Sequence, residues 1–226
     1  MRAGELANSL LASAARAKLV PAHTLEKYWC DQLLYFARLL DRVRGIEGDV
    51  VECGVASGHS VAMLAAVVRS GEVERAVLGY DSWGGLPAPH RADLGSPHAA
   101  ARSGLFQWSS EEQAWATLGL YGFERGEARI TLVKGLFRET LQHHPQRPIA
   151  FLHLDVDLYE SYLECLRALW PKMAPGGIVA FDEYELTRAW PGARRAVDEF
   201  LDGLPEGSAS LERDERIGKY FAVKSG

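Results

Sequence analysis

Cysteine is scarce in this chain, and Cys30, Cys53 and Cys165 are odd in number and scattered. That argues against a disulfide framework and for free thiols in a reducing cytoplasm. Cys53 and Cys165 lie in apolar stretches, where a thiol behaves as a small buried hydrophobe. No apolar run approaches the ~20 residues of a membrane span. The first residues carry Arg2 and Glu5 and no apolar segment, so no secretory signal is expected. Basic residues are outnumbered, 25 Lys and Arg against 30 Asp and Glu, a net charge of −5. That balance disfavours a nucleic-acid footprint, which needs a basic face. No Cys/His set has zinc spacing, no internal repeat is visible, and the G-x-G-x-x-G loop of dinucleotide binders is missing.

What is present is a series of apolar runs that end in acids. Ile149-Ala150-Phe151-Leu152-His153-Leu154 runs into Asp155-Val156-Asp157, and Gly177-Ile178-Val179-Ala180-Phe181 runs into Asp182-Glu183. Strands are expected at 49–53, 76–80, 129–133, 149–154 and 178–182. Helices are expected between them at 59–69, 110–121 and 159–170, and after the last at 192–203. Near-continuous Val/Ile/Leu strands separated by helices imply a parallel sheet covered on both faces. Residues 208–211 and 220–223 flank a charged turn and are expected to pair as a hairpin. The fold class that follows is a doubly wound α/β domain with a mostly parallel seven-stranded sheet and an antiparallel C-terminal edge. Helices are also expected at 4–18 and 24–44, the second with Thr24 as N-cap and an apolar face of Leu25, Trp29, Leu33, Phe36, Leu40 and Val43. Residues 1–45 are read as an N-terminal helical region, for core, lid or subunit contact, and 46–226 as the main domain.

Neighbouring strands lie ~4.8 Å apart, so Asp155, Asp182 and Glu183 are placed to converge on one hard cation. Oxygen-only ligands suit Mg²⁺ or another hard divalent ion. The alternative is that Asp155 and Asp157 cap the following helix. That leaves the second acid pair unexplained.

The first strand ends in Glu52-Cys53-Gly54-Val55-Ala56-Ser57-Gly58-His59-Ser60, spaced E-x-G-x-x-x-G-x-S. Gly54 allows a sharp turn and Gly58 a close backbone approach. Glu52 is placed to accept a bond from a ligand ammonium, which suits an amino-acid-bearing cofactor. Asp81 ends the second strand, where an acid binds ribose hydroxyls. Together these point to S-adenosylmethionine, with Trp83 or Phe137 packing on adenine or in the core. His153 is expected to be a core histidine turned away from the acids. Segment 84–109 is long for a loop in a compact domain and is read as a lid over the acceptor, with His90 and His98 solvated.

These motifs in this order resemble the metal-dependent O-methyltransferases of the macrocin O-methyltransferase type. The matching pieces are Gly48 to Val55, Asp81-Ser82-Trp83-Gly84-Gly85-Leu86-Pro87, Val133 to Phe137, Leu154 to Ser161, and Pro175-Gly176-Gly177 before Phe181-Asp182-Glu183-Tyr184. The resemblance covers about residues 25–224. It implies a class I methyltransferase fold, with Glu52, Gly54, Gly58, Ser60, Asp81, Ser82 and Gly135 around S-adenosylmethionine. It implies Mg²⁺ or another divalent ion on Asp155, Asp182 and Glu183, with Asp155 as ligand and general base. The implied acceptor is a small vicinal diol, a sugar of a natural product, methylated by a cytoplasmic homo-oligomer. The chain departs from the family at Ala56, Ser57, His59 and Glu183. Leu158 stands where related catechol methyltransferases place a lysine base, so Asp157 and His153 are the substitutes. The other readings are a catechol O-methyltransferase, a nicotinamide-dependent oxidoreductase and a non-catalytic cofactor-binding module.

Overall fold

The computed structural model describes residues 27–96 and 99–226. The expected helix at 4–18, Thr24, Leu25 and His98 lie outside these residues. The first helix described, α1 (Lys27–Arg42), buries Gln32, Tyr35, Phe36, Leu39 and Leu40. That is the i, i+3, i+4, i+7, i+8 stripe of a helix laid on a core.

The sheet has seven strands: β1 (Asp49–Cys53), β2 (Val77–Asp81), β3 (Ile130–Lys134), β4 (Ile149–Leu154), β5 (Met173–Phe181), β6 (Ala209–Arg213) and β7 (Tyr220–Lys224). Their order is β3-β2-β1-β4-β5-β7-β6. The first five are parallel, and β7 pairs antiparallel with β5 and with β6. Connecting helices are α2 (His59–Ser70), α3 (Glu111–Leu120), α4 (Phe137–Thr140), α5 (Tyr159–Leu169) and α6 (Pro191–Asp202). The short α4 was not expected from the sequence, because four residues are too few to show a helical period. β5 is longer than expected: it starts at Met173, and the β4–β5 register shifts between Ile149 and Phe151 to take up the Pro175-Gly176-Gly177 segment.

Alternation along the central strands divides the core between the two faces of the sheet. Val50, Phe151 and Ile178 point to one face and pack with Tyr35 and Phe36 of α1 and Met63 of α2. Val51, Leu152 and Val179 point to the other and pack with Tyr162 and Leu166 of α5 and Val197 of α6. Cys53 and Cys165 are free and fully buried. Among the described residues no helix is long and apolar enough to cross a membrane.

Strand order reverses between β1 and β4, and there the loops that follow the two strands diverge and open a crevice. Gly54 sits at its base with φ 89. A Cβ at Gly54 would lie 1.7 Å from the Asp155 carbonyl oxygen, so only glycine lets β1 end this close to β4.

Candidate active site

A cavity of about 820 Å³ lies at the carboxyl ends of β1, β2, β4 and β5. Gly54, Asp81, Asp155 and Asp182, which end or follow those strands, all line it. Asp155, Asp182 and Glu183 bring one carboxyl oxygen each within 4.8 Å of one another. Asp182 and Glu183 are buried, Asp155 half-buried. Asp157 is buried beside them with φ 59, a left-handed conformation that is costly for a residue with a side chain.

The capping alternative for these acids is not what the structure shows. Helix α5 has Leu158 as its N-cap, without a side-chain bond. The free amide of Tyr159 instead donates to Asp93 Oδ1 at 2.8 Å, from 66 positions earlier in the chain. Asp157 uses its own amide to donate to Glu183 Oε2 at 3.3 Å. Tyr162, on the first turn of α5, donates its hydroxyl to Glu183 Oε2 at 2.6 Å.

Burial and mutual repulsion set the protonation of this cluster. Burial pushes the Asp155 carboxyl up to about 7, and the neighbouring Asp182 adds to it against the opposing charge of His153. Burial also drives Asp157 and Glu183 upward, with Asp155 the next contributor for both. Asp182 moves the other way: burial raises it, but Lys219 and His153 outweigh burial and hold it well below the usual carboxylate range. Crowded carboxyls that resist ionisation are what a divalent cation relieves, since its charge reverses the local preference. The donor set is three carboxylates with no sulfur or imidazole among them, which fits a hard ion such as Mg²⁺.

His153 is buried, as expected, but it does not turn away from the acids. Its Nδ1 lies 2.8 Å from Glu52 Oε1 and its Nε2 3.7 Å from Asp182 Oδ1. Burial lowers its basicity, yet bonds to Asp182 and Glu52 win and raise it to about 9. The reason is register: Glu52 of β1 stands directly opposite His153 of β4. Glu52 therefore faces its strand neighbour instead of the cavity wall, and it is fully buried.

The other expected cofactor residues divide in the same way. Gly54, Asp81, Ser82 and Gly135 line the cavity, together with Phe137. Gly58 and Ser60 do not: Gly58 precedes α2 with φ 87, and a Cβ there would meet Ala114 Cα of α3 at 2.7 Å. Its freedom is spent on helix packing. Asp81 Oδ2 accepts from the amides of Val55 and Ala56 at 2.9 and 2.7 Å, and Oδ1 from Trp83 at 2.7 Å. Trp83 is buried and donates Nε1–H to the Ala56 carbonyl at 2.8 Å. Of the two aromatics considered for adenine, Trp83 thus belongs to the core, and Phe137 reaches the cavity.

Two further side chains belong to the site: Lys219, which carries no signal in the sequence, and Tyr28, whose aromatic helix face is read from the sequence as core or subunit contact, with a substrate role as the lesser reading. Lys219, from the turn before β7, ion-pairs with Asp182 Oδ1 and is buried. Tyr28 of α1 lines the cavity rim, and burial followed by the charge of Asp182 pushes its hydroxyl up to about 12. The long 84–109 segment forms a wall with Leu86, Pro87, Ala88, Phe106, Trp108 and Ser109 facing the cavity. Backbone bonds tie Leu86 to Leu105 and Ala100 to Ala189 at 2.8 and 2.9 Å. His90 stacks on Tyr159 with ring centroids 4.8 Å apart, so it is not merely solvated.

The family model of the macrocin O-methyltransferases (TylF) matches residues 32–210, which include every one of these carboxylates and the glycine turn. The chain belongs to this family. It is 34% identical over 150 residues to the 8-demethyl-8-(2,3-dimethoxy-alpha-L-rhamnosyl)-tetracenomycin-C 4'-O-methyltransferase of Streptomyces olivaceus, covering 63% of this chain and 55% of that protein. It is 30% identical over 159 residues to the demethyldecarbamoylnovobiocin O-methyltransferase of Streptomyces niveus, covering 69% and 58%. The chain spans a little over half the length of these two relatives. The solved structure of CalS11, a calicheamicin methyltransferase, superposes with a TM-score of 0.76 at 26% identity, over 99% of this chain and 92% of that one. The seven-stranded, mostly parallel sheet with its antiparallel edge is therefore the class I O-methyltransferase fold.

Proposed function

We propose that this macrocin O-methyltransferase family member uses S-adenosylmethionine and a divalent ion, Mg²⁺ by its donor set, to methylate one hydroxyl of a vicinal diol on a natural-product sugar. One observation carries the reading: Asp155, Asp182 and Glu183 converge within 4.8 Å in the same cavity as the Gly54 turn and Asp81. The residues proposed for donor and acceptor thus share one sheet edge, which supports the reading. The relatives named above methylate a rhamnosyl tetracenomycin and a novobiocin precursor, which favours a glycoside as acceptor.

When bound, the ion supplies a Lewis acid that acidifies and orients a substrate hydroxyl. The chain's own residues do the rest. Asp155, Asp182 and Glu183 hold the ion, and Tyr162 fixes the Glu183 carboxylate. Gly54, Ser82 and Gly135 would shape the donor's cleft, and Phe137 would offer its ring to the adenine. The three amide bonds leave Asp81 about one acceptor site, which would take a ribose hydroxyl. Asp155, on the cavity wall beside the other two acids, stands as the group that accepts the substrate proton once ionised, with Asp157 behind it. Tyr28, Phe106 and Trp108 offer aromatic surface to the acceptor.

Calorimetry with S-adenosylhomocysteine tests the donor half. The expected result is tight binding, no NAD binding, and affinity nearly retained in Asp182→Ala. Methyl transfer to a diol-bearing glycoside that stops on chelation, and fails for the mono-ol analogue, tests the acceptor half. Equal turnover of diol and mono-ol would overturn the chelate reading.

A further inference from the structure

A row of buried charges runs across three adjacent strands and ends on the antiparallel edge: Glu52 on β1, His153 on β4, Asp182 after β5, and Lys219 before β7. Lys219 Nζ donates to Asp182 Oδ1, and the side chain is only 11% exposed. His153 Nε2 approaches the same oxygen, at 3.7 Å. Both cationic contacts therefore fall on Oδ1, and Oδ2 is the atom left to an ion. Lysine is almost never buried unless it is paired, so this placement is costly without Asp182.

The chain invests in holding Lys219 there. Asp214 Oδ1 accepts from the Arg216 amide at 2.9 Å, and the Asp214 carbonyl accepts from Gly218 at 2.7 Å. The Asp214 amide donates back to the Lys219 carbonyl at 2.8 Å. Arg38 of α1 clamps the same turn through Asp214 Oδ2 at 2.6 Å. Lys219 is not on the cavity wall, so it reaches the cluster from behind and leaves the substrate side clear. Five acids, Glu52, Asp155, Asp157, Asp182 and Glu183, meet two cationic side chains in this region. With all five ionised, as a bound cation favours, the excess is negative, so one divalent ion is accommodated with Lys219 still in place.

We propose that Lys219 is a tethered counter-cation of the carboxylate cluster: it shares Asp182 with the incoming divalent ion, stabilises the metal-free site and holds the ion's affinity down. The inference rests on the metal reading above. Its consequence is an exchangeable ion in a site that stays assembled without it. A fixed positive charge beside a divalent cation opposes its binding, and removing that charge relieves the opposition.

The test is Mn²⁺ binding to the S-adenosylhomocysteine complex, read as free Mn²⁺ by electron paramagnetic resonance, so that no turnover is involved. Lys219→Met is expected to bind Mn²⁺ at least ~10-fold more tightly than wild type, because a nearby like charge is gone. Lys219→Arg keeps the charge and is expected within ~3-fold of wild type on the same ground. The rise in melting temperature on adding Mn²⁺ is expected to be larger for Lys219→Met. If the metal-free variant does not fold, protein purified with Mn²⁺ and titrated with chelator reads the same affinity from the loaded side. Equal or weaker binding by Lys219→Met overturns the proposal and makes Lys219 a clamp that positions Asp182. No Mn²⁺ binding by the wild type overturns the metal reading itself.

Discussion

Asp81 serves the loop through bonds the structure shows and the donor in the proposed function. Its carboxylate takes the amides of Val55, Ala56 and Trp83. Two of those residues hold positive φ, Ala56 at 44 and Trp83 at 47, so the acid stabilises strained turns on either side of the donor cleft. Asp81→Ala is expected to weaken S-adenosylhomocysteine binding by ~1.5–3 kcal/mol, the range for charged hydrogen bonds. Calorimetry on a folded variant checks it, and unchanged affinity would remove the ribose role. At the proposed metal site, Asp155→Ala, Asp182→Ala and Glu183→Ala are each expected to abolish chelator-sensitive turnover while nearly retaining donor affinity, because the residues proposed for the donor lie at the ends of β1 and β2. Turnover that survives chelation in all three would sink the metal assignment.

At the scale of elements, the 84–109 segment is fastened to the helix that carries the site. Asp93 is almost wholly buried and caps α5 from outside, accepting from the Tyr159 amide at 2.8 Å and from the His90 amide at 2.7 Å. Gly192 of α6 makes room for it, since a Cβ there would sit 1.8 Å from Asp93 Oδ1. Asp93→Ala leaves two amides unpaired and is expected to cost about 1–3 kcal/mol of stability. Chemical denaturation measures that loss. Because Asp155 and Asp157 immediately precede α5, the same variant is expected to lower metal affinity. A loss of stability without any change in Mn²⁺ binding would mean that the cap and the site are uncoupled. The C-terminal hairpin is the counterpart on the other edge, joined to α1 by Arg38–Asp214 and Arg42–Glu212 at 2.6 and 2.9 Å.

For the whole molecule, the acid limb of stability has an identifiable contributor away from the cavity. His144 is buried against Tyr80, with Nδ1 2.8 Å from its hydroxyl. Burial, then the charge of Lys172, lowers its basicity from 6.5 to about 4. The folded chain thus binds this proton less readily than the unfolded chain. The stabilisation is complete above pH 6.5 and is lost as pH falls from 6.5 toward 4. Between pH 7 and pH 5 the loss is on the order of 2 kcal/mol. His144→Gln is expected to flatten the decline in unfolding free energy between pH 7 and pH 5, measured in urea. A decline of unchanged steepness would assign the acid limb to other groups.

Much of this protein is legible along the chain because it is local. Buried strands of Val, Ile and Leu ending in acids, a glycine turn after β1 and helices between strands set the sheet, its reversal point and the edge where Asp155, Asp182 and Glu183 meet. Most strand ends shifted by a residue or two, β5 began at Met173, well before the expected 178, and α4 escaped notice, since all of these depend on hydrogen bonds and not on pattern. What only the tertiary structure decided are the partners. Glu52 meets His153 across 101 positions, Asp93 meets Tyr159 across 66, and Lys219 meets Asp182 across 37. Each of these is a buried polar group whose desolvation had to be offset by some partner. Periodicity marks such a residue as misplaced in an apolar run, as with Glu52 and His153, but cannot say which distant charge answers it. Strand register and the seating of the C-terminal hairpin against α1 make that choice, and they exist only once the chain has folded.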